Sequence, residues 1–231
     1  MERSSIIDLL RNSALFAALA EPERAAIAGR MRRVDYAHNQ MIFSRGDPGR
    51  EIYLVLHGRI RLSVLTTDGR ELSFAHVGPG NIFGEIAALD GGERSAGATA
   101  LTRVQAMSLS DKAILELIES NPKMATAAIG FLCSRLRETD LRLEAIALYR
   151  IEVRLARLLL SALRLELPAA TGSNIPLDLG ISQAELALLI GASRPKVSVA
   201  LTLLQDMGAI TRNGTMLICN TQILESIAEM E

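Results

Sequence analysis

The densest concentration of chemically capable residues lies between Asn81 and Ser95. Gly84 lets the backbone come close to a ligand, and the residues after it can open a short helix whose first N–H groups face an anion. Glu85 offers a carboxylate that can accept hydrogen bonds from a pair of hydroxyls. Nine positions on, Arg94 offers a guanidinium fork matched to a phosphate, and Ser95 adds a hydroxyl. One ligand that uses all four is a ribose carrying a cyclic phosphate. The plainer alternative is a surface ion pair between Glu85 and Arg94.

These residues need a scaffold, and the chain changes rhythm around them. From Ser4 to about Arg33, the apolar residues Ile7, Leu10, Phe16, Leu19 and Ile27 fall at helical spacing, with Pro22 opening a new turn. From Val34 to Leu109 the pattern becomes short alternating runs. Ile52–Leu56, Ile60–Val64 and Leu72–His76 are strand-like, and the turn signals between them are His57-Gly58, Asp68-Gly69 and Gly78-Pro79-Gly80. Such spacing predicts a sandwich or small barrel.

From Asp111 the chain is helical again, with Pro122 suited to a first helical turn. Ile129, Leu132, Leu136, Thr139, Leu143, Ile146, Arg150 and Val153 recur in steps of three and four, a heptad seam that predicts a parallel dimer coil. A helix packed on its own domain is the alternative. Pro168 to Pro176 reads as a loop or linker, and the residues after it as a helical segment ending in a hairpin.

In that last segment Ser182 and Glu185 form a capping box, so a helix begins there. Ala187 is small enough for two helices to cross closely, Gly191 suits a left-handed turn, and Val197 fills a shared core; this is the spacing of a helix-turn-helix. Ser193 caps the second helix and Pro195 is tolerated in its first turn. Arg194 and Lys196 occupy that turn, where the helix dipole favours acids, so they fit an anionic partner such as DNA better than a solvated surface. Ala209–Ile218 reads as a hairpin with Asn213-Gly214 at its tip, which completes a winged helix.

The formal net charge of −1 excludes a protein that coats nucleic acid by bulk positive charge but not a reader with a local basic patch. Cys133 and Cys219 have no metal-ligand spacing, and a reducing cytoplasm is the expected setting. Asp8 and Arg11 interrupt the apolar start, and no apolar run approaches the roughly 18 residues of a membrane span. The expectation is a cytoplasmic protein without a membrane partner.

The segment Phe83-Gly84-Glu85-Ile86, its nine-residue spacing to Arg94-Ser95, and the glycine-punctuated strands upstream resemble the phosphate-binding cassette of cyclic-nucleotide-binding domains. Along the whole chain the pattern is similar to the cyclic-AMP receptor protein (CRP/FNR) family of bacterial transcription regulators. The resemblance implies an α+β chain: a cyclic-nucleotide-binding β-roll of jelly-roll type with flanking helices (1–120), a long dimerisation helix (121–153) and a winged helix-turn-helix (154–231). It implies that Glu85 binds the ribose 2′-hydroxyl, that Arg94 and Ser95 bind the phosphate, and that Gly84, Ile86 and Ala87 form the cassette backbone. Phe74, Arg135, Thr139 and Asp140 complete the ligand set. Thr139 matches the family's base-binding threonine, Asp140 stands where a serine reaches in from the partner subunit, and Arg135 matches an arginine near the cassette glutamate. Ser182, Gln183, Ser193, Arg194, Lys196 and Ser198 are the implied DNA contacts. Pro195 and Val199 depart from the family, replacing a glutamate and an arginine that contact bases.

The implied protein is a homodimer that binds a two-fold-related DNA operator in response to cyclic AMP, with cyclic GMP as the alternative effector, and that meets RNA polymerase by family analogy. Rival readings are a regulator of the same type that senses another effector, and a regulatory module without DNA binding. An iron–sulfur sensor needs a cysteine cluster that the sequence does not supply. A haem sensor would have to use His38, His57 or His76, which read better as strand-turn or surface residues. No nucleophile–base pairing, metal-ligand spacing or Gly-Lys-Ser phosphate loop points to an enzyme.

Overall fold

The apolar run Ile52–Leu56 shows how the first half of the chain is built, because this strand is buried on both faces. In the computed structural model, which describes residues 3–65, 71–167, 171–214 and 216–230, the chain divides into two units, Met1–Arg137 and Glu138–Glu231. The first unit opens with helices α1 (Arg3–Asn12) and α2 (Glu21–Arg30). Eight strands follow: β1 (Arg32–Tyr36), β2 (Met41–Phe43), β3 (Glu51–His57), β4 (Ile60–Leu65), β5 (Glu71–Val77), β6 (Ile82–Phe83), β7 (Gly97–Ala100) and β8 (Val104–Ser110). A short helix, α3 (Glu85–Asp90), interrupts them after β6.

The strands form two antiparallel sheets of four, in the orders β1-β8-β3-β6 and β2-β7-β4-β5. Between them lies a core of Tyr53, Val55, Ile60, Val77, Phe83, Ala98, Ala100, Val104 and Ala106. The alternate residues of β3 (Ile52, Leu54 and Leu56) belong to a second core with Leu10, Ile27, Ile114 and Met124 from the helices and Phe16 from the turn between α1 and α2. Side chains of a strand alternate faces, so a strand covered on both sides loses its polar alternation. Gly58 and Gly80 take positive φ at the predicted turns; the Asp68-Gly69 turn lies outside the described residues.

Helix α4 (Asp111–Ser120) is capped by the Ser110 hydroxyl, which accepts from the Ala113 N–H. Pro122 then starts α5 (Pro122–Leu148), where a missing N–H removes no intrahelical bond. This helix stops at Leu148 rather than running on to Val153. Arg150 is extended, with φ −63° and ψ 159°, although neither Gly nor Pro is present. The freed end is held by side chains: Arg154 Nε donates to the Tyr149 carbonyl at 2.8 Å, and the Arg157 guanidinium lies 3.7 Å from the Tyr149 ring centre. The heptad seam is thereby shortened to Ile129–Ile146, and Arg150 and Val153 fall outside it. Within that span Ile129, Leu132, Leu136, Leu143 and Ile146 are exposed.

After the break, α6 (Ile151–Glu166) turns Leu155, Leu159 and Leu163 into the core of the second unit, with Leu186, Val197, Leu201, Leu204 and Leu224. The expected linker is not all loop. Ile175–Leu177 forms β9, an edge strand beside β11 (Met216–Cys219), which pairs in turn with β10 (Ile210–Asn213). Ile175 and Leu177 are buried while Pro176 is exposed, and an edge position tolerates a residue without an N–H. The hairpin does not end the chain either, for α9 (Thr221–Ala228) follows it, capped by Asn220 and burying Leu224 and Ile227. Helices α7 (Gln183–Ile190) and α8 (Arg194–Asp206) meet at 95°, within the range of helix-turn-helix pairs.

Candidate functional site

Gly84 sits between β6 and α3 with φ 77° and ψ 9°, a left-handed conformation that glycine adopts without steric penalty. Its carbonyl accepts a hydrogen bond from Arg94 Nη1 at 2.7 Å. A Cβ at Gly84 would stand 2.7 Å from that same nitrogen and 3.2 Å from the Glu51 carbonyl oxygen. Glu85, the first residue of α3, is 3% exposed and Arg94 is 5% exposed. The predicted pair is therefore no surface ion pair: both charges are buried beside one tight glycine turn.

Burial raises the Glu85 carboxyl above its ordinary range, against a hydrogen bond from its own backbone N–H, the contact with Arg135 and, more weakly, the charge of Arg94. Arg135 Nε, on α5, approaches Glu85 Oε1 at 3.6 Å. Burial likewise lowers Arg94, against the pull of Tyr53, Glu51, Asp47 and Glu85. Arg94 Nε is buried without a hydrogen-bond partner. A buried cation with an unused donor, beside a carboxylate shifted toward neutrality, is a poor device for stability alone. It suits a ligand that supplies an anion and hydroxyl donors together.

Part of the site was not visible in the sequence. Phe43, Tyr53 and Phe83 come from three strands and stack, with Tyr53 and Phe83 centroids 4.8 Å apart at 18°. The Arg94 guanidinium lies 4.2 Å from the Phe43 centroid and 5.7 Å from that of Tyr53, within cation–π range. Behind the stack, Glu51 accepts from the Tyr53 and Ser108 hydroxyls, and burial pushes the Tyr53 phenol well up. The Arg94 backbone is held in both directions, since Gly46 N donates to its carbonyl and its own N donates to the Asp47 carbonyl. Gly49 completes the cradle: a Cβ there would overlap that of Ala87 at 2.1 Å. The turn-rich run Ser44–Gly49 is a compositional sign of this cradle.

The other expected residues are distributed unevenly. Ala87 is buried, Ile86 is exposed on the outer side of α3, and Ser95 is exposed next to Arg94. Phe74 stands on the exposed face of β5, opposite the buried Ser73 and Ala75. Thr139 and Asp140 lie farther along α5 than Arg135, are exposed, and belong to the second unit. His38 Nδ1 is hydrogen-bonded to the Leu101 carbonyl. Among the described residues, no three His, Cys, Asp or Glu are grouped to hold a metal ion.

In the second unit, Gly191 is left-handed with φ 66° and ends α7 between the two crossing helices, as its position predicted. The Ser182 hydroxyl accepts from Glu185 N, and Gln183 begins α7. Ser193 precedes α8 in extended geometry, but its hydroxyl makes no capping bond. Arg194, Pro195 and Lys196 are exposed, Ser198 is half-buried, and the first turn of α8 contains no acid. Two cations therefore project at a positive helix end, an arrangement that becomes favourable when a polyanion lies across it.

A two-sheet roll with a buried Gly-Glu/Arg cassette, a long helix, and a winged helix-turn-helix define a cyclic-nucleotide-binding, DNA-binding transcription regulator. Residues 33–121 match the cyclic nucleotide-binding domain family, and residues 153–227 match the Crp-like helix-turn-helix domain family. The chain belongs to the cyclic-AMP receptor protein (CRP/FNR) family, whose members are transcription regulators rather than enzymes. It is 36% identical over 220 residues to the Cyclic AMP receptor protein of Thermus thermophilus, covering 95% of this chain and 98% of that one. It is 28% identical over 218 residues to a CRP-like cAMP-activated global transcriptional regulator of Mycobacterium tuberculosis, covering 94% and 97%. Among solved structures, FixK2 from Bradyrhizobium japonicum shares the fold, with TM-score 0.77 at 21% identity over 87% of this chain and 98% of that one. No single helix among the described residues is long and apolar enough to cross a membrane.

Proposed function

We propose that this regulator binds cyclic AMP in the cassette and, as a homodimer, binds a two-fold-related operator more tightly when the nucleotide is present. The observation that carries the proposal is the burial of Glu85 and Arg94 at one glycine turn, with Arg94 Nε left without a hydrogen-bond partner and the Glu85 carboxyl raised by that burial. The ribose hydroxyls would satisfy Glu85, and the cyclic phosphate would satisfy the Arg94 fork, with Ser95 and the first N–H groups of α3 beside it. Thr139, one helical turn beyond Arg135, and Asp140 are assigned to the purine edge, by likeness to the family. The relatives named for cyclic AMP support the choice of adenine; cyclic GMP is the competing effector, since Ser95 offers a hydroxyl to a guanine amino group.

The exposed row Ile129, Leu132, Leu136, Leu143 and Ile146 is the proposed dimer seam. A two-fold dimer places one α8 in each of two major-groove faces about 34 Å apart, with Ser182, Gln183, Ser193, Arg194, Lys196 and Ser198 meeting the duplex. RNA polymerase is the expected partner of the DNA-bound form by family likeness, and the cytoplasm its setting. Ligand binding can bias the dimer only by its differential affinity for the two states, commonly ~1–3 kcal/mol. The test is titration of purified protein with each nucleotide, by calorimetry and by anisotropy of labelled duplex. Saturable binding of cyclic AMP that tightens duplex affinity about five- to 150-fold is expected. Failure of both nucleotides to bind would overturn the proposal.

A further inference from the structure

We propose that this chain selects its operator largely through thymine methyl groups, with Val199 as the specificity-determining residue. This deepens the DNA-binding reading above and rests on it. Helix α8 buries Val197, Ala200, Leu201 and Leu204. At about 100° per residue, the ridge opposite that face is Pro195, Val199, Thr202 and Asp206. Val199 is 61% exposed, and Leu203 beside it is 43% exposed. The Thr202 hydroxyl donates to the Ser198 carbonyl at 3.1 Å, so its only proton is committed to the helix backbone and its methyl is left as a contact group.

The first two turns of this ridge therefore carry no amide, guanidinium or carboxylate with which to pair a purine edge. Arg194 and Lys196 stand about 100° to either side of it, one cation on each flank of an apolar strip. That distribution matches a major groove, with phosphates along both walls and base edges on the floor. The apolar group that unmodified DNA displays on that floor is the thymine C5-methyl. Asp206, about 10 Å along the helix from Val199, closes the ridge with a negative charge and limits base contact to its N-terminal turns.

The experiment uses the full chain with saturating cyclic AMP, a random duplex library for selection, and the selected duplex remade with uracil replacing thymine at one symmetric pair at a time. Uracil deletes the methyl and leaves the pairing intact. We expect one pair at which uracil weakens binding by about fourfold per methyl, the weight of one buried carbon. Val199→Ala, at an exposed position, should remove that sensitivity while other thymines behave as before. Uracil tolerated at every position, or a sensitivity that survives unchanged in V199A, overturns this inference and leaves DNA binding standing. Selection of no duplex overturns the DNA reading itself, and this inference with it.

Discussion

Arg94→Met separates what the buried arginine does for the fold from what it does for a ligand. Without ligand the substitution removes a hydrogen bond to the Gly84 carbonyl, worth about 1.5–3 kcal/mol for a charged donor. It also removes the guanidinium from the Phe43 ring, worth about 0.5–2 kcal/mol. Against this, it relieves the burial of a cation whose Nε has no partner, a penalty of several kcal/mol. Methionine sulfur against the aromatic stack returns about 0.3–1.5 kcal/mol. The terms nearly cancel, so scanning calorimetry of the ligand-free variant should show a Tm within about 5 °C of the parent. A phosphate held by the fork loses two charge-assisted bonds of about 1.5–3 kcal/mol each, and isothermal titration with cyclic AMP should show affinity reduced at least about 100-fold. The rise in Tm that cyclic AMP gives the parent should disappear in step. A variant that kept affinity within tenfold, or that lost more than about 10 °C unliganded, would show that Arg94 serves the fold and refute the reasoning.

Gly84→Ala forces a Cβ into left-handed backbone, at about 1–2 kcal/mol, and onto Arg94 Nη1; calorimetry should show a larger loss of cyclic-AMP affinity than of stability. Because burial raises the ligand-free Glu85 carboxyl and hydroxyl donors favour its ionised form, cyclic-AMP affinity should rise as pH rises through that shifted value and then level off. Titrations in buffers of different ionisation enthalpy would register the released proton, and affinity falling with rising pH through that window would contradict the assignment. Leu136→Lys, on the exposed face of α5, should shift the protein toward monomer in sedimentation velocity while leaving its far-ultraviolet circular dichroism unchanged.

The sequence disclosed what is encoded locally. Glu85 and Arg94 are tied by a short segment with a glycine at its turn, and Gly191 is left-handed because only a few residues separate α7 from α8. What it concealed depends on distant strands or on side chains reaching backbone. Phe43, Tyr53 and Phe83 lie on β2, β3 and β6, and each looks like an ordinary core residue until the sheets are assembled. The end of α5 has no helix breaker; Arg154 and Arg157 secure it from the following helix, so heptad spacing carried the expected seam too far. Strand β9 was hidden by Pro176, and α9 by the strength of the hairpin signal before it.

The aromatic bed beneath Arg94 gives the roll a discriminating character. Under the proposed function, inorganic phosphate would engage the guanidinium alone, and a plain nucleoside would reach only the carboxyl that Arg135 already approaches. Each half-ligand would have to compete alone with the contacts that Arg94 makes with Gly84 and Phe43. Under the proposed function the roll would therefore work as a coincidence detector, answering when sugar and ring phosphate arrive as one molecule.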